Sequence, residues 1–205
     1  MTPLLLVGAG GHARSCIDVI EQEGRFEIVG LTASEREVGG TVLGYPVVGT
    51  DADVASLVRI ASSAIVVVGQ IQTAGPRIRL FNALRQAGYA CPVIVSPRAY
   101  VSSHAEVGEG TVVLHGATVN AGARVGRNCI VNSHCLIEHD AVVGDHCHVS
   151  TGAVLNGNVK VGEGTFIGSR SVVKEGVSLG AGCVVGMGLS VRHDQGPDAR
   201  VKGNV

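Results

Sequence analysis

A six-residue repeat in the C-terminal half is the feature that most constrains the fold. Residues 99 to 194 divide into sixteen consecutive hexads, and the third residue of every hexad is Val, Ile or Leu. Chance does not fill sixteen equivalent positions with three residue types. The pattern predicts a series of short strands whose third residue points to a common axis, with a corner before each next strand.

Three such hexads make one coil of 18 residues. Coils of parallel strands stack at about 4.8 Å, so residues 18 apart in sequence lie over one another. The repeat therefore predicts a three-sided prism of a little over five coils. First hexad positions are mostly small, which predicts interior positions for four of the six cysteines: Cys129, Cys135, Cys147 and Cys183.

Residues 3 to about 95 follow a different pattern, in which strands alternate with helices. Parallel neighbours need crossover connections, so this alternation predicts a small parallel sheet. The segments are the strands "PLLLV", "FEIVGL", "SAIVVVG" and "CPVIV" and the helices "HARSCIDVIEQEG" and "RIRLFNALRQAG". We expect a Rossmann-like α/β domain over residues 1–95 and a β-helix domain over residues 96–205.

Composition excludes several classes of function. The net charge of −1 gives no support for binding nucleic acid or an anionic membrane. No stretch reaches the roughly 18 apolar residues of a membrane span, and the N-terminus does not read as a signal peptide, so we expect a soluble, cytoplasmic protein. The six cysteines form no CxxC pair, which argues against a zinc ribbon, and we expect no metal.

The segment "CLIEHD" places Glu138, His139 and Asp140 together at hexad positions four to six. These positions form the corner of the prism, so His139 is expected at the surface. Asp140 is positioned to orient the imidazole and to favour its protonated form. An imidazole beside a carboxylate is suited to general base catalysis.

One coil beyond His139 the sequence has Gly157, in "NGN". A glycine next to the base lets a ligand approach the backbone, and its N–H is a candidate donor to a thioester carbonyl as negative charge develops there. His148 follows His139 by nine residues, half a coil, and is therefore expected on another part of the prism.

The N-terminal "LLLVGAGGHA" predicts a strand, a glycine turn and the start of a helix, an arrangement that binds anions. It lacks the third glycine of a dinucleotide fingerprint, and in "IVGLTASE" the second strand is not followed directly by an acidic residue to hold a ribose. We therefore expect a nucleotide-sugar here, not NAD. Gly10 and Gly11 in the turn, with Gly69 at the end of the third strand, are the candidate substrate contacts.

The hexads together with "GAGGHA" resemble the sugar acetyltransferases that include the sialic-acid O-acetyltransferases and the bacterial UDP-4-amino-sugar N-acetyltransferases. This resemblance implies a left-handed parallel β-helix and acetyl-CoA as cosubstrate. The family's "E-H-D/E" motif implies that His139 is the catalytic base, supported by Asp140. The family's "H-V-S" segment implies that His148 contacts acetyl-CoA, and the oxyanion glycine corresponds to Gly157. In the family the glycine turn holds the nucleotide-sugar, which implies that His12 faces the active site as a substrate contact.

The resemblance further implies a homotrimer with the active site between neighbouring prisms, and a role in polysaccharide biosynthesis. We assign Ser169 and Arg170, on a late coil, to the acetyl-CoA site, although Arg170 and Lys174 also fit solvated surface charges. The family's Asp pair after the second strand is replaced by Thr32, Ala33 and Ser34. Its C-terminal "V-x-G-x-P-A" is approximated by "VKGNV".

Two other functions fit parts of the sequence. His134 and His139 have the spacing of zinc ligands in γ-class carbonic anhydrases, but the position two coils before His134 is Arg98, and His115 is out of register. A non-catalytic trimer that binds nucleotide-sugar as a scaffold or sensor is the second alternative. The sequence distinguishes neither the sugar nor N-acetylation from O-acetylation.

Overall fold

The N-terminal half is a five-stranded sheet flanked by helices in the computed structural model, which describes residues 1 to 203; Asn204 and Val205, the end of the "VKGNV" segment, lie outside the described residues. The strand order is β3-β4-β2-β1-β5, and only β3 runs antiparallel to its neighbour. The strands are β1 Thr2–Val7, β2 Phe26–Ala33, β3 Thr41–Val42, β4 Tyr45–Thr50 and β5 Ser63–Val66. The helices are α1 Gly11–Glu23, α2 Val54–Leu57 and α3 Gly75–Gln86, with 3-10 turns at Glu35–Glu37 and Asp51–Asp53.

Helix α1 forms because apolar residues recur along one side of it. Ala13, Cys16, Ile17 and Ile20 are all buried on that side. The helix ends at Gly24, whose φ of 71° is the left-handed conformation that glycine adopts without strain. Since β1, β2, β4 and β5 are parallel, their carboxyl ends, and the loops that follow them, lie at one edge of the sheet.

The C-terminal half is a parallel β-helix, as the hexads predict, and it is left-handed, as the resemblance implies. Its two-residue strands form three sheets in an 18-residue register; Thr118 pairs with Leu136, for example, and Leu136 with Val154. We name the three sheets by what lies on their outer side: the N-terminal half on the covered face, and uncharged or charged outward side chains on the apolar and charged faces. The covered face contains Ile94–Val95, Val112–Val113, Ile130–Val131, His148–Val149, Phe166–Ile167, Val184–Val185 and Arg200–Val201. The apolar face contains Tyr100–Val101, Thr118–Val119, Leu136–Ile137, Val154–Leu155, Val172–Val173 and Ser190–Val191. The charged face contains Glu106–Val107, Arg124–Val125, Val142–Val143, Lys160–Val161 and Ser178–Leu179.

The prism interior is filled by the first and third residues of the hexads, and the four predicted cysteines are buried there. One interior column repeats a single hydrogen bond from coil to coil. The Cys129 thiol donates to the Gly144 carbonyl at 3.2 Å, and the Cys147 thiol donates to the Gly162 carbonyl at 3.2 Å. Thr111, Thr165 and Cys183 make the same bond at their own coils. The column therefore ties neighbouring coils together through groups that would otherwise be buried without a partner.

The strand predicted from "CPVIV" differs from expectation. Ile94–Val95 pairs with Val112–Val113 on the covered face of the prism, not with the N-terminal sheet. The N-terminal sheet receives only a bridge between Ser63 and Ala90. Pro92 follows two residues later and has no N–H for a sheet ladder, which explains why pairing with β5 ends there.

The two halves share a continuous core. Ile94, Val112 and Leu114 of the prism pack in the same buried cluster as Ile17 and Ile20 of α1. A polar bridge from α1 accompanies this packing: Asp18 Oδ2 lies 2.7 Å from His115 Nε2, and His115 Nδ1 lies 2.6 Å from Ser96 Oγ. Within residues 1 to 203, no helix has the length and apolar character required to cross a membrane.

Candidate functional site

His139 projects from the corner between the apolar and charged faces. Its Nδ1 lies 2.9 Å from Oδ2 of Asp140, and both side chains are 60% exposed. A carboxylate only accepts hydrogen bonds, so Nδ1 carries the proton and donates it. The neutral ring therefore presents the lone pair of Nε2, which is the atom needed to accept a proton from a nucleophile.

The turn that carries His139 is held by the coil before it. Asn120 Nδ2 donates to Glu138 Oε2 at 2.8 Å, and the same oxygen accepts the backbone N–H of His139 at 3.2 Å. Asp140 has a left-handed φ of 60°, which Asp tolerates better than most residues. Glu138 thus acts as an anchor for the corner.

Gly157 lies against the ring of His139, as the 18-residue register predicts. A Cβ at position 157 would lie 2.6 Å from Nε2 of His139, so the ring position requires glycine there. Gly157 is buried, and its N–H makes no hydrogen bond to any residue from 1 to 203. The structure therefore brings together His139, Asp140 and Gly157.

His148 lies on the covered face, at the junction with the N-terminal half. Its Nδ1 donates to the Gln70 carbonyl at 2.7 Å, and its Nε2 accepts from Asn132 Nδ2 at 2.9 Å. Burial lowers the pKa of His148 to about 4, opposed by the Gln70 hydrogen bond, and the nearby Arg77 charge lowers it further. His148 is therefore neutral, with both ring nitrogens occupied in this arrangement.

The predicted substrate residues gather at the same junction. His12, in the first turn of α1, lies with its ring centroid 6.4 Å from that of His148. A Cβ added to Gly69 would lie 3.6 Å from the Cβ of His12, whereas Gly10 and Gly11 are exposed and face open space. Burial lowers the pKa of His12 to about 3, with Arg77 contributing. The open glycines and the α1 N-terminus leave backbone N–H groups free for an anion.

Arg77 also lies at this junction, although nothing in the sequence singled it out. Its side chain is fully buried, and its guanidinium donates to the carbonyls of Val66 and Val68 and to the carbonyl and Oδ1 of Asn128. No carboxylate forms an ion pair with it within residues 1 to 203. Burial lowers its pKa to about 10, so it stays positively charged and favours anions nearby. An internal arginine in an amphipathic helix gave no signal of its burial.

Ser169 and Arg170 lie on the corner between the covered and apolar faces. Ser169 Oγ lies 3.0 Å from Ser150 Oγ, and Arg170 is exposed. Lys174 lies on the opposite edge of the apolar face, in the column of Glu138 and Asn156. The two basic residues therefore flank one face from different corners.

Within one chain, the predicted site residues thus form two separate groups. His139, Asp140 and Gly157 lie on one edge of the apolar face. The other predicted residues lie beyond the opposite edge, and we call them the covered-face group: His148, Ser169, Arg170, Gly10, Gly11, His12 and Gly69. His134 lies on the corner next to the covered face, away from His139. Among residues 1 to 203, no group of three or more His, Cys, Asp or Glu side chains is arranged to hold a metal ion.

Comparisons with known proteins match both halves. The family model described as "PglD N-terminal domain" matches residues 3–84, and the model described as "Hexapeptide repeat of succinyl-transferase" matches residues 158–192. No curated protein sequence matches the chain.

Solved structures match the whole chain. The chain is similar to PerB from Caulobacter crescentus in complex with CoA and GDP-perosamine, at 30% identity and a TM-score of 0.89 over 99% of this chain and 98% of that one. A histidine-to-asparagine variant of the perosamine N-acetyltransferase from Caulobacter crescentus, also with CoA and GDP-perosamine, matches at 29% identity and a TM-score of 0.91 over 100% and 98%. The acetyltransferase domain of PglB from Neisseria gonorrhoeae in complex with acetyl coenzyme A matches at 28% identity and a TM-score of 0.87 over 96% and 93%.

Proposed function

The chain belongs to the hexapeptide-repeat sugar acetyltransferases with a PglD-type N-terminal domain, and we propose that it N-acetylates an amino sugar carried on a nucleotide. It is an acetyltransferase that uses acetyl-CoA. The observation that carries the proposal is the His139–Asp140 pair beside Gly157. Similar structures bind GDP-perosamine, an amino sugar linked to a nucleotide, which favours an amine over a hydroxyl as the acceptor.

His139 acts as the general base in this proposal. The sugar amine attacks the thioester carbonyl carbon, the N–C bond forms, and the amine proton passes to Nε2 of His139. Collapse of the intermediate breaks the C–S bond and releases coenzyme A as the thiol after proton transfer. Asp140, bonded to Nδ1, stabilises the imidazolium that forms.

Gly157 stabilises the oxyanion of the intermediate. Its N–H has no acceptor within residues 1 to 203, so the group is available to a developing negative charge. Glycine at position 157 has two roles: it offers its N–H, and its lack of a side chain leaves room for the His139 ring.

A homotrimer closed on the apolar face completes the site. The outward residues of the charged face include Glu106, Arg124 and Lys160, while the N-terminal half buries most of the covered face. The apolar face has no charged outward residue, and Tyr100 and Val172 on it are 59% and 39% exposed. An uncharged, partly exposed sheet face is typical of an interface between subunits.

Trimer closure explains why the site residues lie in two groups. The His139 edge of one prism meets the edge that carries Ser169 and Arg170 on the next prism, because both edges border the apolar face. Acetyl-CoA then lies in the groove between the two prisms, with Arg170 positioned for its phosphates. His148, bonded to Asn132 and Gln70, shapes the wall of this groove.

The nucleotide-sugar binds at the carboxyl edge of the N-terminal sheet. Gly10 and Gly11 offer backbone N–H groups to the diphosphate, and the uncompensated charge of Arg77 attracts it. His12 and Gly69, which lie together at the junction, contact the sugar and direct it to the neighbouring prism.

An acceptor panel tests this function. Thiol release from acetyl-CoA is measured with GDP-perosamine, a UDP-linked 4-amino-4,6-dideoxy sugar, sialic acid and buffer alone. We expect release with a nucleotide amino sugar and a product that carries an amide, which resists hydroxylamine, and not an ester. Nucleotide-sugar binding without acetyl-CoA binding or thiol release would instead support the non-catalytic scaffold.

A further inference from the structure

A carboxylate lies beside the end of β2, although the last residues of β2, Thr32 and Ala33, and the residue after them, Ser34, are not acidic. Asp51, the first residue after β4, accepts a hydrogen bond on Oδ1 from Thr32 Oγ1 at 2.7 Å. Strands β2 and β4 are parallel, and Ala33 pairs with Thr50, so both strands end at the same edge. The neighbouring strand thus places a carboxylate beside Thr32, Ala33 and Ser34, none of which is acidic.

A short relay connects this carboxylate to the glycine turn. The Gly8 N–H is shared between the Thr32 carbonyl at 3.2 Å and Thr32 Oγ1 at 3.3 Å, and the Thr32 hydroxyl donates onward to Asp51. Thr32 is fully buried, which fixes the orientation of its hydroxyl. Asp51 is exposed, and its Oδ2 has no hydrogen-bond partner among the residues that the structure describes. One oxygen is therefore held while the other faces solvent.

The position of this free oxygen indicates what it binds. In nucleotide-binding parallel sheets the diphosphate lies on the glycine turn, and an acid near the end of the second strand accepts hydrogen bonds from the ribose. Asp51 is linked to Gly8, at the start of the glycine turn, by two hydrogen bonds of 2.7 and 3.3 Å through Thr32 Oγ1. A carboxylate would repel the phosphates, but it matches two vicinal hydroxyl donors.

We infer that Asp51, oriented by Thr32, accepts hydrogen bonds from the ribose hydroxyls of the nucleotide-sugar. The inference rests on the proposed function and adds to it a residue that recognises the nucleotide. The base is the other source of donors at this edge, but it lies farther from the diphosphate than the ribose does. Asp51 therefore serves every ribonucleotide-sugar equally.

The chain offers a matched control on the same 3-10 turn. Asp53 has both the charge and the exposure of Asp51, but its Oδ2 already accepts the N–H and hydroxyl of Thr50, each at 2.8 Å. Asp53→Asn makes the same charge change without touching the relay. Thr32→Val retains the Asp51 carboxylate but removes the group that orients it.

The test measures nucleotide binding directly by calorimetry on the full chain. Wild type, Asp51→Asn, Asp53→Asn and Thr32→Val are titrated with UDP, GDP and their 2′,3′-dideoxy forms. We expect wild type and Asp53→Asn to bind the ribose forms about 10- to 100-fold more tightly than the dideoxy forms, the range for hydrogen bonds to a charged group. Asp51→Asn is expected to bind both forms alike, with Thr32→Val between.

Three outcomes contradict the inference. An Asp51→Asn variant that retains the wild-type preference for ribose overturns it and leaves the proposed function intact. A variant that loses only a difference between UDP and GDP assigns Asp51 to the base and overturns the ribose assignment. Wild type that binds none of these nucleotides overturns the inference together with the nucleotide part of the proposed function.

Discussion

Gly157 and His139 are stacked so closely that the position of the ring depends on a missing side chain. A Cβ on Gly157 would lie 2.6 Å from Nε2 of His139, well inside contact distance. Asp140 holds the opposite nitrogen of the ring at 2.9 Å. The imidazole ring is therefore fixed between a carboxylate and a glycine backbone on the next coil.

Gly157→Ala is predicted to lower kcat at least about 100-fold, the scale of losing a positioned base or an oxyanion donor. The added methyl group displaces the His139 ring, while the backbone of the coil is unchanged. Steady-state thiol release measures the effect. Gly196→Ala is the control, because position 196 is exposed and a Cβ there meets nothing within 4 Å. Equal activity of the two variants would show that the stacking has no catalytic role.

Val172→Lys is predicted to dissociate the proposed trimer and abolish activity together. The charge would be placed on the apolar face, where burial against a neighbouring prism costs several kcal/mol. Light scattering after gel filtration measures the assembly state. Ser178→Lys adds the same charge to the charged face and should leave both assembly and activity unchanged. A trimeric Val172→Lys variant would place the interface elsewhere.

Arg77→Leu is predicted to lower the free energy of unfolding by about 3 kcal/mol. The substitution leaves the carbonyls of Val66, Val68 and Asn128 without a donor at a buried junction. Urea unfolding measures the loss. Arg79→Leu, on the exposed side of the same helix, should change stability by less than about 0.5 kcal/mol. Equal values for both variants would contradict the role of Arg77 as a link between the halves.

The buried histidines predict a loss of stability in mild acid. His148 has a pKa of about 4 in the folded protein, below its ordinary value of 6.5. The unfolded chain therefore takes up a proton first as the pH falls, so the contribution is complete above pH 6.5 and is lost as the pH falls toward 4. We expect the His148 contribution at pH 5.5 to be about 1 kcal/mol less than at pH 7.5.

His148→Gln should remove that part of the pH dependence. Unfolding midpoints at pH 7.5 and 5.5, compared at one protein concentration, measure it. His193→Gln, an exposed substitution of the same kind, should retain the wild-type pH dependence. An unchanged difference between the two pH values in His148→Gln would contradict burial of a neutral His148.

The repeat predicted the β-helix because the residue types of each hexad indicate which of its side chains faces the interior. The third residue of a hexad must face the interior whatever the rest of the chain does, so the pattern fixed the stacking of Gly157 on His139 before any contact was known. The glycine turn was equally local: a strand, a tight turn and a helix start in consecutive residues.

Contacts between distant segments had no such signal. Arg77 bonds to Asn128, 51 residues later, and Asp51 bonds to Thr32 on a neighbouring strand. Neither contact is part of a sequence repeat, so no periodic pattern predicts it. The sequence of Ile94–Val95 is compatible with a strand in either half, and only its pairing with Val112–Val113 shows that it belongs to the β-helix. The apolar face was readable from the second residue of every third hexad, because Tyr100, Leu136 and Val172 recur where the charged face has Glu106, Arg124 and Lys160.

The most direct measurement for the central claim is the rate of thiol release by His139→Asn with acetyl-CoA and the nucleotide amino sugar both saturating. We predict a rate at least about 100-fold below wild type, with acetyl-CoA affinity, oligomer mass and unfolding temperature unchanged. Asparagine retains the polar corner but cannot accept the proton. A rate within about threefold of wild type would show that His139 is not the base and would contradict the mechanism.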